Sequence, residues 1–201
     1  MHLLSDNHVF WANIDTTTWS DSVDIHIGNS KNKLFLSVYK DEVVLQELTY
    51  YGTCSHYNQL EIITETIEML QAAFKAVLHV YPAVTKIVLT DRCYYPHSML
   101  GNIPMAEHHF FIYGKTWYQE YLGTIPNART QRVLNKYTTT LSNTTVCEYM
   151  SNKKEWMTEK DIHTVREKLG LPLLTGTQWE IPRSIVEQYP TIGVFKEKHA
   201  D

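Results

Sequence analysis

The chain has 201 residues, 43% hydrophobic and 20% charged, with a mean hydropathy of −0.30. That is enough for one domain with a real core, expected over residues 1–201, and too apolar for bulk disorder. Eighteen Lys and Arg against 22 Asp and Glu give a net charge of −4, so no global field draws the chain to nucleic acid or to an anionic membrane. Aromatic residues reach 12% while Gly supplies only eight positions, so semi-polar anchors are plentiful and glycine-rich phosphate loops are scarce.

Residues 1–22 carry no clean period, and Trp11 and Trp19 read as anchors packed on a sheet rather than as parts of an element. Val23, Ile25 and Ile27 alternate with Asp24 and His26 and run into Gly28-Asn29, a strand ending in a turn. Leu34 to Tyr39 is rich in strand formers, Lys40-Asp41-Glu42 is a polar turn, and Val43 to Tyr51 is a longer strand. The three predict an antiparallel meander. Ile63, Ile67, Leu70, Phe74, Val77 and Tyr81 then fall at steps of three and four, the apolar stripe of a helix that Asn58 and Glu61 start and Pro82 stops. Lys86 to Thr90 is a short apolar strand. A helix of that length between two strands is a crossover, which predicts that the second strand joins the sheet parallel to the first.

The second half reads as mostly helical. Pro104 opens a helix to Tyr113 with Gly114 as its break, and Lys115 to Leu122 forms another, ended by Gly123. Val133, Leu134, Tyr137 and Leu141 mark a third; Thr158 caps a fourth, with Ile162, Val165 and Leu169 inward and Gly170 and Pro172 beyond it. The tail from Leu173 is aromatic and proline-punctuated, with a helical turn or two near Pro182 to Gln188. The expected class is mixed α/β (α+β): meander, crossover helix, further parallel strand, then a largely helical C-terminal half. Residues 23–126 form the sheet-and-helix core and 127–201 the helical extension.

Cys54, Cys93 and Cys147 are odd in number and irregular in spacing, which is no disulfide framework and suggests reduced thiols. The first residues show no basic segment followed by an apolar one, and no stretch approaches the ~18 apolar residues of a membrane span. A soluble, cytoplasmic protein without a membrane partner is expected, in which the sequon at Asn143 carries no weight.

Few clusters carry recognisable chemistry. Cys54-x-His56 follows one strand and Cys93-x-x-x-His97 the next in the sheet; two thiolates and two imidazoles from adjoining loops suit tetrahedral zinc, while buried, inert cysteines are the alternative. Cys93 lies near Asp91, Arg92 and His97, neighbours that could activate a thiol. His108 and His109 point about 100° apart on a helix, so they cannot share one ligand and read as one packed and one exposed histidine. Arg129, Arg132 and Lys136 form a basic helix face, and Lys153-Lys154 a short basic pair, both read as solvated surface; nucleic acid is not an expected partner. No nucleotide-binding, zincin or hydrolase motif occurs.

The order strand, strand, strand, helix, strand, helix, with Lys86-Ile87-Val88-Leu89-Thr90-Asp91 followed by Gly114-Lys115-Thr116-Trp117-Tyr118-Gln119-Glu120-Tyr121-Leu122-Gly123, resembles the core of the acetyl-CoA-dependent N-acetyltransferase (GNAT) fold. The same two segments resemble uncharacterised proteins of large DNA viruses. The resemblance covers residues 33–126. It implies a cofactor loop at Gly52, Thr53, Ser55 and Asn58, and a Tyr at position 118 as the acid that protonates a departing thiolate. The family's Arg/Gln-x-x-Gly-x-Gly/Ala loop is absent, however: residues 51–59 hold one glycine, no leading Arg, and Tyr57 where close backbone approach is wanted. Tyr118 is five residues before Gly123 rather than the family's four.

Two functions follow as expectations. One is a non-catalytic or catalytically degenerate GNAT-like protein without cofactor, whose aromatic surface, including the tail residues Trp179, Tyr189 and Phe195, binds other proteins or a second copy, with a structural or assembly role in a virion or the host cytoplasm. The other is an acyl-CoA-dependent N-acetyltransferase with a divergent cofactor loop. Acetyl-CoA and zinc are the two candidate cofactors.

Overall fold

The computed structural model describes residues 2–4, 9–16, 22–28, 32–50, 59–92, 94–97, 101–142, 159–190 and 193–195. Its contacts group into two compact units, residues 1–89 with 180–201, and residues 90–179.

The first unit holds β1 (His2–Leu4), β2 (Val9–Thr16), β3 (Val23–Gly28), β4 (Asn32–Val38) and β5 (Glu42–Tyr50), then α1 (Gln59–Val80) and β6 (Lys86–Thr90), whose last residue belongs to the other unit. Strands β3 to β5 form the expected antiparallel meander, closed by a turn in which Tyr39 N–H donates to Glu42 O at 2.8 Å. Ile25, Ile27, Leu34, Leu36, Val38, Val43 and Leu45 are all buried, the inward half of the period-2 pattern. A bulge adds Gln46 between Leu45, which opposes Leu36, and Glu47, which opposes Phe35. The extra residue sets Leu48 opposite Leu34, where an uninterrupted alternation would have put Glu47 on the apolar face.

β5 and β6 run parallel, with Val43 opposite Ile87 and Leu45 opposite Leu89, as a crossover helix requires. On α1, Leu70, Phe74 and Val77 of the expected stripe are buried, joined by Met69, Ala72, Ala73, Ala76 and Leu78. The buried set is wider than one stripe, and three of its members are small Ala residues. Within residues 1–22, which carry no clean period, His2–Leu4 and Val9–Thr16 form β1 and β2, so Trp11 belongs to a strand after all, while Trp19 lies outside the described residues. Antiparallel pairing decides this: β2 sets Ile14 opposite Ile25 and Ala12 opposite Ile27, which extends the meander by templating on β3.

The last segments of this unit are β10 (Gln178–Pro182), whose first two residues belong to the other unit, α6 (Arg183–Val186) and β11 (Gly193–Phe195). Strand order is β11-β1-β2-β3-β4-β5-β6-β10. The tail is thus a strand before it is a helical turn, and Lys86 on β6 pairs with Glu42 at 3.5 Å and Glu180 at 3.2 Å. Arg183 closes the end of α1: its guanidinium donates to Pro82 O and Val84 O at 3.0 Å each and to Leu78 O at 3.2 Å. Carbonyls at a helix C-terminus lack intrahelical partners, and one planar fork serves Leu78 O of the last turn together with two carbonyls of the turn that follows the helix.

The second unit opens with a hairpin of β7 (Tyr94–His97) and β8 (Gly101–Pro104), unmarked in the sequence, followed by α2 (Met105–Tyr113), α3 (Trp117–Leu122), β9 (Ile125–Pro126), α4 (Ala128–Ser142) and α5 (Glu159–Leu169). All four expected helices are present. Gly114 takes φ 73° and donates to Phe110 O at 2.8 Å, the left-handed close that only glycine makes without strain. The core is aromatic: Tyr137 is fully buried, with Phe110 edge-on at 5.4 Å and its hydroxyl donating to Pro172 O at 2.7 Å.

Replacing Arg183 with Met, which keeps the stem and removes the fork, should lower unfolding free energy by about 1–3 kcal/mol. Urea denaturation of the variant against wild type measures it, and Arg183→Lys should recover only part of the loss.

Candidate functional site

Polar and aromatic side chains gather on the α2–α3 hairpin of the second unit. Thr116 starts α3 with a reciprocal cap: its hydroxyl accepts from Gln119 N–H at 3.4 Å, and its own N–H donates to Gln119 Oε1 at 2.9 Å. Gly114 before it and Gly123 after it, both at positive φ, set the hairpin's bends.

His109 is the hub of this hairpin. Its Nδ1 lies 2.7 Å from Lys115 O, and since a carbonyl only accepts, Nδ1 carries the proton. Tyr113 packs on the imidazole at 4.4 Å and Tyr121 approaches edge-on at 6.2 Å. Trp117 continues the row, 5.3 Å from Tyr121. Tyr113 is 61% exposed and Tyr121 39%, so this is an open aromatic surface anchored on a buried histidine. Lys115 and Glu120 pair across its rim, leaving it without net charge.

Tyr118 faces the other way. It is 3% exposed, edge-on to Trp117 at 5.2 Å, which is the place of a core residue. Beneath the hairpin lies a carboxylate with no sequence signal: Glu107, fully buried on α2. Its Oε1 accepts from Leu174 N–H at 2.8 Å and Thr175 N–H at 2.9 Å, and its Oε2 from the Thr175 hydroxyl at 2.7 Å. Three donors stabilise the charge in place of water. Local reading cannot find it, because an acid in the first turn of a helix reads as a dipole partner and its donors lie some seventy residues away.

Several expectations change. His108 and His109 are not one packed and one exposed residue: His108 is half-buried and His109 buried. Burial, with His109 adding repulsion, pushes His108 down to about 4, and burial lowers His109 against the opposing effect of its carbonyl bond. The aromatic tail is not an open surface at Trp179 and Tyr189, which are 0% and 8% exposed; Trp179 Nε1 donates to the Thr177 hydroxyl at 3.0 Å. Apolar residues of β10 alternate inward, which sequestered Trp179. Phe195 opposes His2 in the β1–β11 pair.

The residues expected at a cofactor loop or zinc site, Gly52, Thr53, Cys54, Ser55, His56, Asn58 and Cys93, lie outside the described residues; so does the side chain of His97, whose backbone opposes Gly101 in the hairpin. Among the described residues no group of three or more His, Cys, Asp or Glu converges as a metal site, and no helix is long and apolar enough to cross a membrane. Arg129, Arg132 and Lys136 are solvent-exposed, as the basic face implies. The aromatic row did have a sequence signal: His109, Tyr113, Trp117 and Tyr121 recur every four residues, although the Gly114 turn hides the period as a helix stripe.

Comparison with family models, with curated proteins and with solved structures finds no match for this chain.

Both histidines titrate below the ordinary 6.5 in the folded chain, so the unfolded chain binds more protons as pH falls. Their stabilising effect is complete above pH 6.5 and is lost on descent toward pH 4. Urea midpoints should fall across that window, and the double variant His108→Gln, His109→Gln should flatten the fall. For Glu107→Ala, which strands two backbone donors and a hydroxyl, a loss of about 2–4 kcal/mol is expected in the same assay.

Proposed function

We propose that the chain is a non-catalytic or catalytically degenerate, GNAT-like protein that works by binding other proteins or a second copy of itself through the aromatic surface of α2 and α3. The observation that carries this reading is the row of Tyr113, Tyr121 and Trp117 set about the buried His109, whose ring the Lys115 carbonyl holds. Rings with few rotatable bonds give contact area at little entropic cost, and a polar hydroxyl on each Tyr tolerates water when the surface is free. The inward Tyr118 supports the non-catalytic half, since a general acid must reach the atom it protonates. The GNAT-like half is supported by the antiparallel meander followed by the parallel β5–α1–β6 crossover. The sequence resemblance to proteins of large DNA viruses extends the proposal to a structural or assembly role in a virion or the host cytoplasm.

The same parallel crossover is what favours the second reading, an acyl-CoA-dependent N-acetyltransferase with a divergent loop at Gly52 to Asn58. Titration with acetyl-CoA separates the two. The binding reading expects neither heat nor a thermal shift, whereas a micromolar dissociation constant, about −8 kcal/mol, would establish the enzyme reading instead. For the surface itself, Tyr113→Ser with Tyr121→Ser should leave the melting temperature within a few degrees and abolish self-association or partner capture, read by sedimentation and by affinity purification. Unchanged association in that variant removes the aromatic row from the interface.

A further inference from the structure

α4 contains no carboxylate, and none occurs between Glu120 and Glu148, although the chain as a whole is acidic. The inner side of the helix is spoken for: Leu134 and Tyr137 are buried, and the Thr130 hydroxyl donates to Gln178 O at 2.8 Å while accepting from Gln178 N–H at 3.1 Å. The outer side presents Arg129, Arg132 and Lys136, all exposed, beside Gln131 and Asn135, whose amides bond to each other at 2.7 Å. Among the described residues no carboxylate pairs with any of these cations; Arg132 donates only to Ala128 O of its own helix, at 3.3 Å. Lys115 of the same unit, by contrast, is paired with Glu120. A basic row paired with no carboxylate among the described residues, on a chain of net charge −4, complements an acidic surface supplied from outside.

We propose that the outer face of α4 docks an acidic helix of a partner protein, whose carboxylates pair with Arg129, Arg132 and Lys136. Steps of three and four residues set the cations about 4.5 Å and then about 6 Å apart along the axis. Carboxylates at i, i+4 and i+7 of an antiparallel helix have the same spacing, and each guanidinium can take a carboxylate with two parallel N–H donors. The face suits nucleic acid less well. Tyr137 is fully buried, so no ring of α4 is free to stack on a base, and three cations are a small footprint for a polyphosphate on an acidic protein. This partner chemistry goes beyond the aromatic surface of α2 and α3 and rests on different residues.

The test uses the full chain and three labelled probes in fluorescence anisotropy: an Ala-based helical peptide with Glu at i, i+4 and i+7, the same peptide with Gln there, and a single-stranded oligonucleotide. The Glu peptide should bind more tightly than the Gln peptide, more weakly as salt rises, and about tenfold more weakly to the triple variant Arg129→Gln, Arg132→Gln, Lys136→Gln. Neutralising Lys160 and Lys168 on α5 instead should change nothing. Circular dichroism checks that the triple variant folds, and the three single variants replace it if it does not. Equal binding of the two peptides, full affinity in the variant, or tighter binding of the oligonucleotide each overturns the proposal.

Discussion

Neighbouring parallel strands cannot be joined by a tight turn, and the first unit is organised by that constraint. After β5 the chain must travel back the length of a strand before β6 can begin beside it, and α1, at 22 residues and about 33 Å, supplies the return. A helix that makes such a crossing has one side to bury. The apolar and small residues of α1 and the inward residues of β3 to β6 together form the core of the unit. The end of the helix and the turn after it then need donors, and Arg183, about a hundred residues on, provides them to Leu78 O, Pro82 O and Val84 O.

In the second unit the analogous commitment is a buried charge. Glu107 is stable on α2 only because the backbone at Leu174 and Thr175 turns its donors inward, so the 171–177 segment and the helix define each other. Tyr137 adds a second tie of the same kind, its hydroxyl held by Pro172 O. With the segment fixed from beneath, the α2–α3 hairpin can keep its aromatic row outward on a rigid base. Local chemistry at Lys115 and Thr116 sets which rings face out and which, like Tyr118, face in.

Much of this was legible in one dimension. The alternation at Val23 to Ile27, the three-and-four spacing through Leu70, Phe74 and Val77, and the glycines at 114, 123 and 170 each report a local preference, and the corresponding strand, helix and breaks are present. The strands β1, β2, β10 and β11 were not legible, because a strand's partner, lying elsewhere in the sequence, supplies its hydrogen bonds. The candidate site divides the same way. Its turn chemistry can be read from Gly114 and Thr116, whereas the depth of His109 and the exposure of Tyr113 depend on what packs beneath them.

The sequence by itself determined the mixed class, the meander, the crossover and its parallel sense, and the positions of the helices, since periodicity and turn residues act over a few neighbours. Only the tertiary structure decided that Trp179 and Tyr189 are core rather than surface, that Tyr118 turns inward, and that Glu107 is a charge clamped by a distant loop. Burial and pairing join residues far apart in the chain, and no local pattern encodes which of many apolar or acidic side chains will meet them.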